Sequence, residues 1–155
     1  MIAMDIRALD IDDLDLVCRH REDMFRDAGR SDDVLVPMTE HFRAWVRPRL
    51  LDGSYFGYAM LEDGVPVAGI GLMLIDWPPH PAHPTQDKRG YVLNVFVEPA
   101  HRKRGLAREL MRLAEAEFAR RGVGYLILHA TAKGRPLYQG QGWAGTTEMA
   151  KAAPR

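Results

Sequence analysis

The sequence predicts an α/β domain built on a mixed sheet, and three observations carry that expectation. Ser54 to Leu61 and Val65 to Asp76 are aromatic and β-branched runs joined by Glu62-Asp63-Gly64, where Asp-Gly favours the positive φ angles of a tight hairpin. Tyr91 to Val97 and Tyr125 to Ala130 are apolar runs separated by an amphipathic stretch, the order strand, helix, strand. A chain of 155 residues with 46% hydrophobic content can fill one core, so residues 1–155 are read as a single domain.

Along the chain, Ile6 and Ala8 begin a short strand. From Asp10 to Arg26 the apolar residues Leu14, Val17, Cys18, Met24 and Phe25 recur at helical spacing until Gly29. A second helix is expected from Thr39 through Phe42, Trp45 and Val46 to Leu51, kinked or shortened by Pro48. After the hairpin, Trp77 to Gly90 holds Pro78, Pro79, His80, Pro81, His83 and Pro84 and reads as a surface loop bordering a substrate site. Tyr91 to Val97, interrupted only by Asn94, is expected to be a strand buried on both faces. Leu106 to Arg121 carries Leu106, Leu110, Leu113, Ala114 and Phe118 on one helical stripe and stops at Gly122 and Gly124. Tyr125 to Ala130 returns as a second buried strand, parallel to the first across the helix. A short helix within Thr131 to Gln141 and a final strand from Trp143 to Ala150 complete the chain.

Composition excludes several classes. Twenty-one basic and 21 acidic residues give a formal net charge of zero with no block of five like charges, so no nucleic-acid partner is expected. Cys18 is the single cysteine and reads as an ordinary helix thiol. Met1 to Asp10 lacks an apolar leader segment, and Val67 to Ile75 is too short to span a bilayer, which points to a cytoplasmic protein without membrane attachment. Prolines around His80 and His83 prevent a helical ligand pair, and no metal site is expected.

The chemistry lies in Asn94-Val-Phe-Val-Glu-Pro-Ala-His-Arg-Lys-Arg-Gly-Leu-Ala-Arg108, which runs from a strand into a helix N-terminus. Unpaired N–H groups and the helix dipole make that junction an anion site, and Arg102, Lys103 and Arg104 add charge. Neither a Walker string nor Gly-x-Gly-x-x-Gly occurs here. Arg102-x-x-Gly105-x-Ala107 resembles instead the acetyl-CoA pyrophosphate loop of the GCN5-related N-acetyltransferases (GNAT). Leu137-Tyr138 followed by Gly142-Trp143 resembles a second segment of that family, with Trp143 where Phe is commoner.

The resemblance implies a twisted mixed sheet of six to seven strands flanked by about four helices, with acetyl-CoA held where two parallel strands splay. It implies that the backbone of Val95, Phe96 and Val97 pairs with the pantetheine arm, main-chain N–H of Phe96 and Val97 polarising the thioester. It implies further that N–H groups of Lys103, Arg104, Gly105, Leu106, Ala107 and Arg108 hold the pyrophosphate, with Arg102 and Arg104 side chains contributing. Tyr138 would be the general acid for the CoA thiolate, and Thr131 falls where relatives place a cofactor contact. For the base, His129, Glu98 and Asn94 with a water stay open. The acceptor would be an amine-bearing small molecule or peptide, and pairing of two copies into a homodimer is one arrangement relatives show. A non-catalytic acyl-CoA sensor of the same fold is the alternative.

Overall fold

The computed structural model describes residues 4–155. Five strands form one sheet in the order β1-β2-β3-β4-β5: Met4–Ala8, Tyr55–Glu62, Val65–Asp76, Lys88–Val97 and Leu126–Leu128. The first four pair antiparallel, and β4 with β5 is parallel, so the sheet is mixed as expected. The helices are α1 (Leu14–Asp27), α2 (Asp32–Asp52), α3 (Leu106–Arg120) and α4 (Arg135–Gly140).

Two hydrophobic clusters sit on opposite faces of the sheet. On one, Leu110, Met111, Ala114 and Phe118 of α3 close over Ala68, Ile70, Leu72 and Val92. On the other, Val17 and Cys18 of α1 and Phe42, Val46 and Leu50 of α2 pack around Tyr55. Burial pushes the Cys18 thiol up. No helix among the described residues is long and apolar enough to cross a membrane.

The structure departs from several expectations. The second helix begins at Asp32, seven residues before Thr39, and runs straight through Pro37 and Pro48 for 21 residues. Tertiary burial of Leu35, Phe42, Val46 and Leu50 outweighs the two missing N–H groups, and Arg49 Nη1 bonds the Trp45 carbonyl at 2.6 Å. Trp143 to Ala150 is not a strand, and the sheet has five strands among the described residues rather than six or seven. Ala144 to Ala150 are all exposed, so no apolar face is gained by pairing them.

Strand β4 is buried on alternate residues rather than on both faces, and β5 is only half-buried and three residues long. The Pro/His segment is an ordered loop that ends at Asp87, earlier than expected, because Lys88 to Gly90 join β4. Arg89, buried there, lies between the rings of Trp77 and Tyr125 at 4.0 and 4.6 Å and donates Nε to His83 Nε2 at 3.0 Å.

Candidate active site

Strand β4 is the spine of the site. Gly90, Tyr91 and Val92 pair with Leu126, Ile127 and Leu128, after which β5 ends. From Leu93 to Val97 the main chain has β3 on one side and no strand on the other. The register with β3 slips between Gly69 and Gly71, so Asn94 and Val95 together oppose Ile70 in a β-bulge, with Asn94 at φ +56°. The bulge lies beside the point where β4 and β5 part.

Beyond β4, the Glu98 N–H bonds the Val67 carbonyl at 2.8 Å, a single turn spans Pro99–His101, and α3 starts at Leu106. Lys103 and Gly105 both have positive φ, +63° and +78°. Alternating handedness of this kind turns successive N–H groups to one concavity. Among the described residues, none of the main-chain N–H groups of 103 to 108 has a hydrogen-bond partner. A Cβ on Gly105 would meet nothing within 4 Å, so glycine is needed there for its backbone angle rather than for space.

The basic side chains of this turn are partly committed. Arg102 donates Nε to the Val97 carbonyl at 3.0 Å and Nη2 to Asp27 at 2.5 Å, tying the end of α1 to the end of β4. Arg104 is 2.8 Å from Glu62 and holds that carboxyl below its ordinary range. Lys103 and Arg108 form no ion pair among the described residues and leave the positive charge of the turn open.

Tyr138 lies on α4 and packs against the same cluster as Val95 and Val97, on the α3 side of the sheet. Its ring meets Trp143 edge-on at 6.5 Å. Burial pushes the phenol above its ordinary value, with no charged group contributing. Gly134 makes room for it, since a Cβ there would stand 3.1 Å from Tyr138 Cε2. The Thr131 hydroxyl accepts from the Gly134 N–H at 3.1 Å and so anchors the start of α4.

The opposite face carries different groups. Asn94 is buried, its Nδ2 donating to the Tyr55 hydroxyl and its Oδ1 accepting from Arg21 Nη1, both at 2.8 Å. Tyr91 and His129 share a hydrogen bond between the phenol and Nδ1 at 3.2 Å, and His129 Nε2 is 3.2 Å from Glu148. His129 follows β5 in the chain and is exposed, not placed on a buried strand. Glu98 bonds Arg19 at 2.9 Å and faces buried His20 at 3.5 Å. Burial lowers His20 to about 4. Among the nearby aromatic residues, Tyr55 is core, Phe25 lies under Arg21, Trp45 under Arg49, and Trp77 against Arg89.

A turn of alternating φ sign after a strand that loses its partner is the arrangement the motif resemblance implies. The model of the acetyltransferase (GNAT) family matches residues 15–143. The chain belongs to the GNAT family. A GCN5-related N-acetyltransferase from Ralstonia eutropha JMP134 is 60% identical over 97% of this chain and 99% of that one, with a TM-score of 0.96. A predicted acetyltransferase from Clostridium acetobutylicum, solved with acetyl-CoA, is 25% identical over 97% and 96% of the two chains, with a TM-score of 0.84. A glucosamine-6-phosphate N-acetyltransferase from Arabidopsis thaliana shares the fold at 17% identity, covering 97% and 98%, with a TM-score of 0.66. No curated protein matches the sequence.

In this GNAT chain the motif residues from Arg102 to Ala107 stand together at the α3 N-terminus, and Tyr138 shares their face of the sheet. His129 belongs with Tyr91 and the α1 side. Sequence reasoning missed Arg21, Tyr91 and Glu148. For Arg21 a signal existed: it continues the stripe of Leu14, Val17, Cys18 and Phe25, where an apolar residue is the default.

Proposed function

We propose that the protein is an N-acetyltransferase that moves the acetyl group of acetyl-CoA to a primary amine by direct attack. The observation that carries the reading is the unpartnered length of β4 leading into six unpaired N–H groups at the α3 N-terminus. That backbone fits an amide-bearing arm ending in a pyrophosphate: Val95, Phe96 and Val97 offer strand-like hydrogen bonds, and residues 103 to 108 offer donors to an anion. Arg102 keeps the turn in place through Asp27 and Val97, while Lys103 and Arg108 supply charge.

Acetyl-CoA brings an activated acyl carbon and a thiol leaving group. In the transfer, the amine nitrogen bonds to that carbon and the carbon–sulfur bond breaks. The main-chain N–H of Val97, which the β3 register leaves on the open edge of β4, stabilises the carbonyl oxygen as it gains charge. Tyr138 gives its hydroxyl proton to the departing sulfur, a role suited to a phenol that burial keeps protonated. The amine proton passes to the Tyr91 oxygen as the Tyr91 hydroxyl proton moves to His129 Nδ1, the imidazolium so formed being stabilised by Glu148 at 3.2 Å from Nε2. Asn94 is already engaged in orienting the Tyr55 hydroxyl and Arg21. Glu98 is already paired with Arg19.

The test is calorimetric titration with acetyl-CoA and CoA, followed by a thiol-release screen across amines, peptides and aminoglycosides. Binding with release for one acceptor class supports the enzyme. Binding without release from any acceptor favours an acyl-CoA sensor, and no binding removes the reading altogether.

A further inference from the structure

Arg21 is a cation set into an apolar face without an acid to balance it. It projects from α1 toward β4, its guanidinium 5.0 Å from the Phe25 ring centroid and 4.8 Å from that of Phe42. One donor, Nη1, reaches Asn94 Oδ1 at 2.8 Å, a neutral acceptor. Nε is sealed from solvent and has no partner. Among the described residues no carboxylate lies within ion-pair distance, although Arg7, Arg19, Arg26, Arg43, Arg102, Arg104, Arg112, Arg120 and Arg121 all have one. The titratable groups that face it are the Tyr55 and Tyr91 phenols, both neutral at physiological pH.

A desolvated, unpaired charge is unfavourable unless a counter-charge arrives. The planar fork of arginine suits an anion, and beside the two rings Nη2 is the terminal nitrogen that, among the described residues, neither bonds a protein group nor is sealed from solvent. Its position settles which reactant would bring that anion. The phosphate-binding turn and Tyr138 lie on the α3 side of the sheet, whereas Arg21, Asn94, Tyr91 and His129 lie on the α1 side, next to the opening between β4 and β5.

We infer that Arg21, held by Phe25, Phe42 and Asn94, is a carboxylate-recognition site for the acceptor, so that the amine substrate is one carrying a carboxylate, as an amino acid does. A single guanidinium with no second cation beside it matches one negative charge, which favours a carboxylate over a phosphomonoester. The inference rests on the acetyl-transfer reading above and names the acceptor class for it.

The experiment compares α-, β- and γ-amino acids with their carboxamides and with phosphoethanolamine as acceptors, on the full chain with saturating acetyl-CoA. The wild type should show kcat/KM about tenfold or more higher for the best acid than for its amide, the size of one charge-assisted interaction. Arg21→Met should bring that ratio close to one, and Arg21→Lys should restore part of it, with retained CoA binding as the check on folding. A wild type that does not discriminate, or that prefers the amide or phosphoethanolamine, overturns the inference, as does a ratio that survives in Arg21→Met. If no amine releases thiol, the transfer reading fails instead. The carboxylate site is then judged by calorimetric binding of the same acid and amide to the CoA complex, where Arg21-dependent binding of the acid supports it and its absence overturns it.

Discussion

Replacing Gly71 by alanine tests how the proposed acceptor side of the site is held in place. A Cβ at this position would stand 2.0 Å from the Tyr55 hydroxyl and 2.5 Å from its Cζ. Tyr55 is buried with its ring in the α1–α2 cluster, so it has no free space into which to swing. Overpacking of this kind costs about 1–3 kcal/mol. Moving the hydroxyl also deprives Asn94 Nδ2 of its buried partner, which adds about 1–3 kcal/mol. Together these give a loss of about 2–6 kcal/mol, which at a urea dependence of about 2 kcal/mol/M lowers the unfolding midpoint by about 1–3 M. The assay is urea unfolding of wild type, Gly71→Ala, Tyr55→Phe and the double variant, followed by tryptophan fluorescence. Phenylalanine removes the nearer of the two clashing atoms though not Cζ, and both single variants lose the same Asn94 hydrogen bond, so the double variant should be more stable than the sum of the single losses by about 1 kcal/mol or more. Additive losses, or a Gly71→Ala cost under about 1 kcal/mol, would show that Tyr55 does not stand against the β3 backbone as described.

Three further outcomes are expected. Tyr138→Phe should lower kcat by about 10–1000-fold with acetyl-CoA affinity nearly unchanged, and any alkaline loss of kcat in the wild type should begin above about pH 10, the ordinary tyrosine value, and vanish in the variant; both are read from pH–rate profiles. Gly105→Glu should weaken acetyl-CoA binding in calorimetry, because it puts a side chain at φ +78° and an anion beside the unpaired N–H groups. His20 should make folding sensitive to mild acid. The unfolded chain protonates this imidazole near 6.5 and the folded one only near 4, so the stability is fully present above about pH 6.5 and falls by up to about 3 kcal/mol as pH drops to 4. His20→Gln should flatten that limb in denaturant titrations run across the range.

The elements most legible in the sequence were those whose local chemistry and burial agree. The Asp63-Gly64 turn fixes the β2–β3 hairpin, and the stripe of Leu110, Ala114 and Phe118 both marks α3 and fills the core. The start of α2 was hidden, because Pro37 argues locally against a helix that Leu35 and Phe42 secure only by packing on the rest of the chain. The last segment was overread: Trp143 is half-buried against Tyr138, but nothing after it meets a partner strand. In the candidate site, the turn proposed to hold the pyrophosphate could be read because it is contiguous in sequence. The acceptor side could not, because Arg21, Tyr55, Tyr91 and Asn94 meet only when α1, β2 and β4 are assembled, and no spacing rule joins them.

The bulge in β4 behaves as a one-letter insertion into an otherwise regular strand. Val92, Val95 and Val97 face α3 or its cluster, while Leu93 and Phe96 face the α1 side, so dropping Asn94 from the series leaves an unbroken alternation. The pairings with β3 on either side of the bulge, Gly71 with Leu93 and Gly69 with Phe96, then close into a single register. A chain lacking this one residue therefore keeps every other strand side chain on its proper face. It loses the anchor of Arg21, the partner of the buried Tyr55 hydroxyl and the local twist of the bulge. Fold and site are separable here at the level of a single codon, and a deletion of Asn94 is the smallest change that divides one from the other.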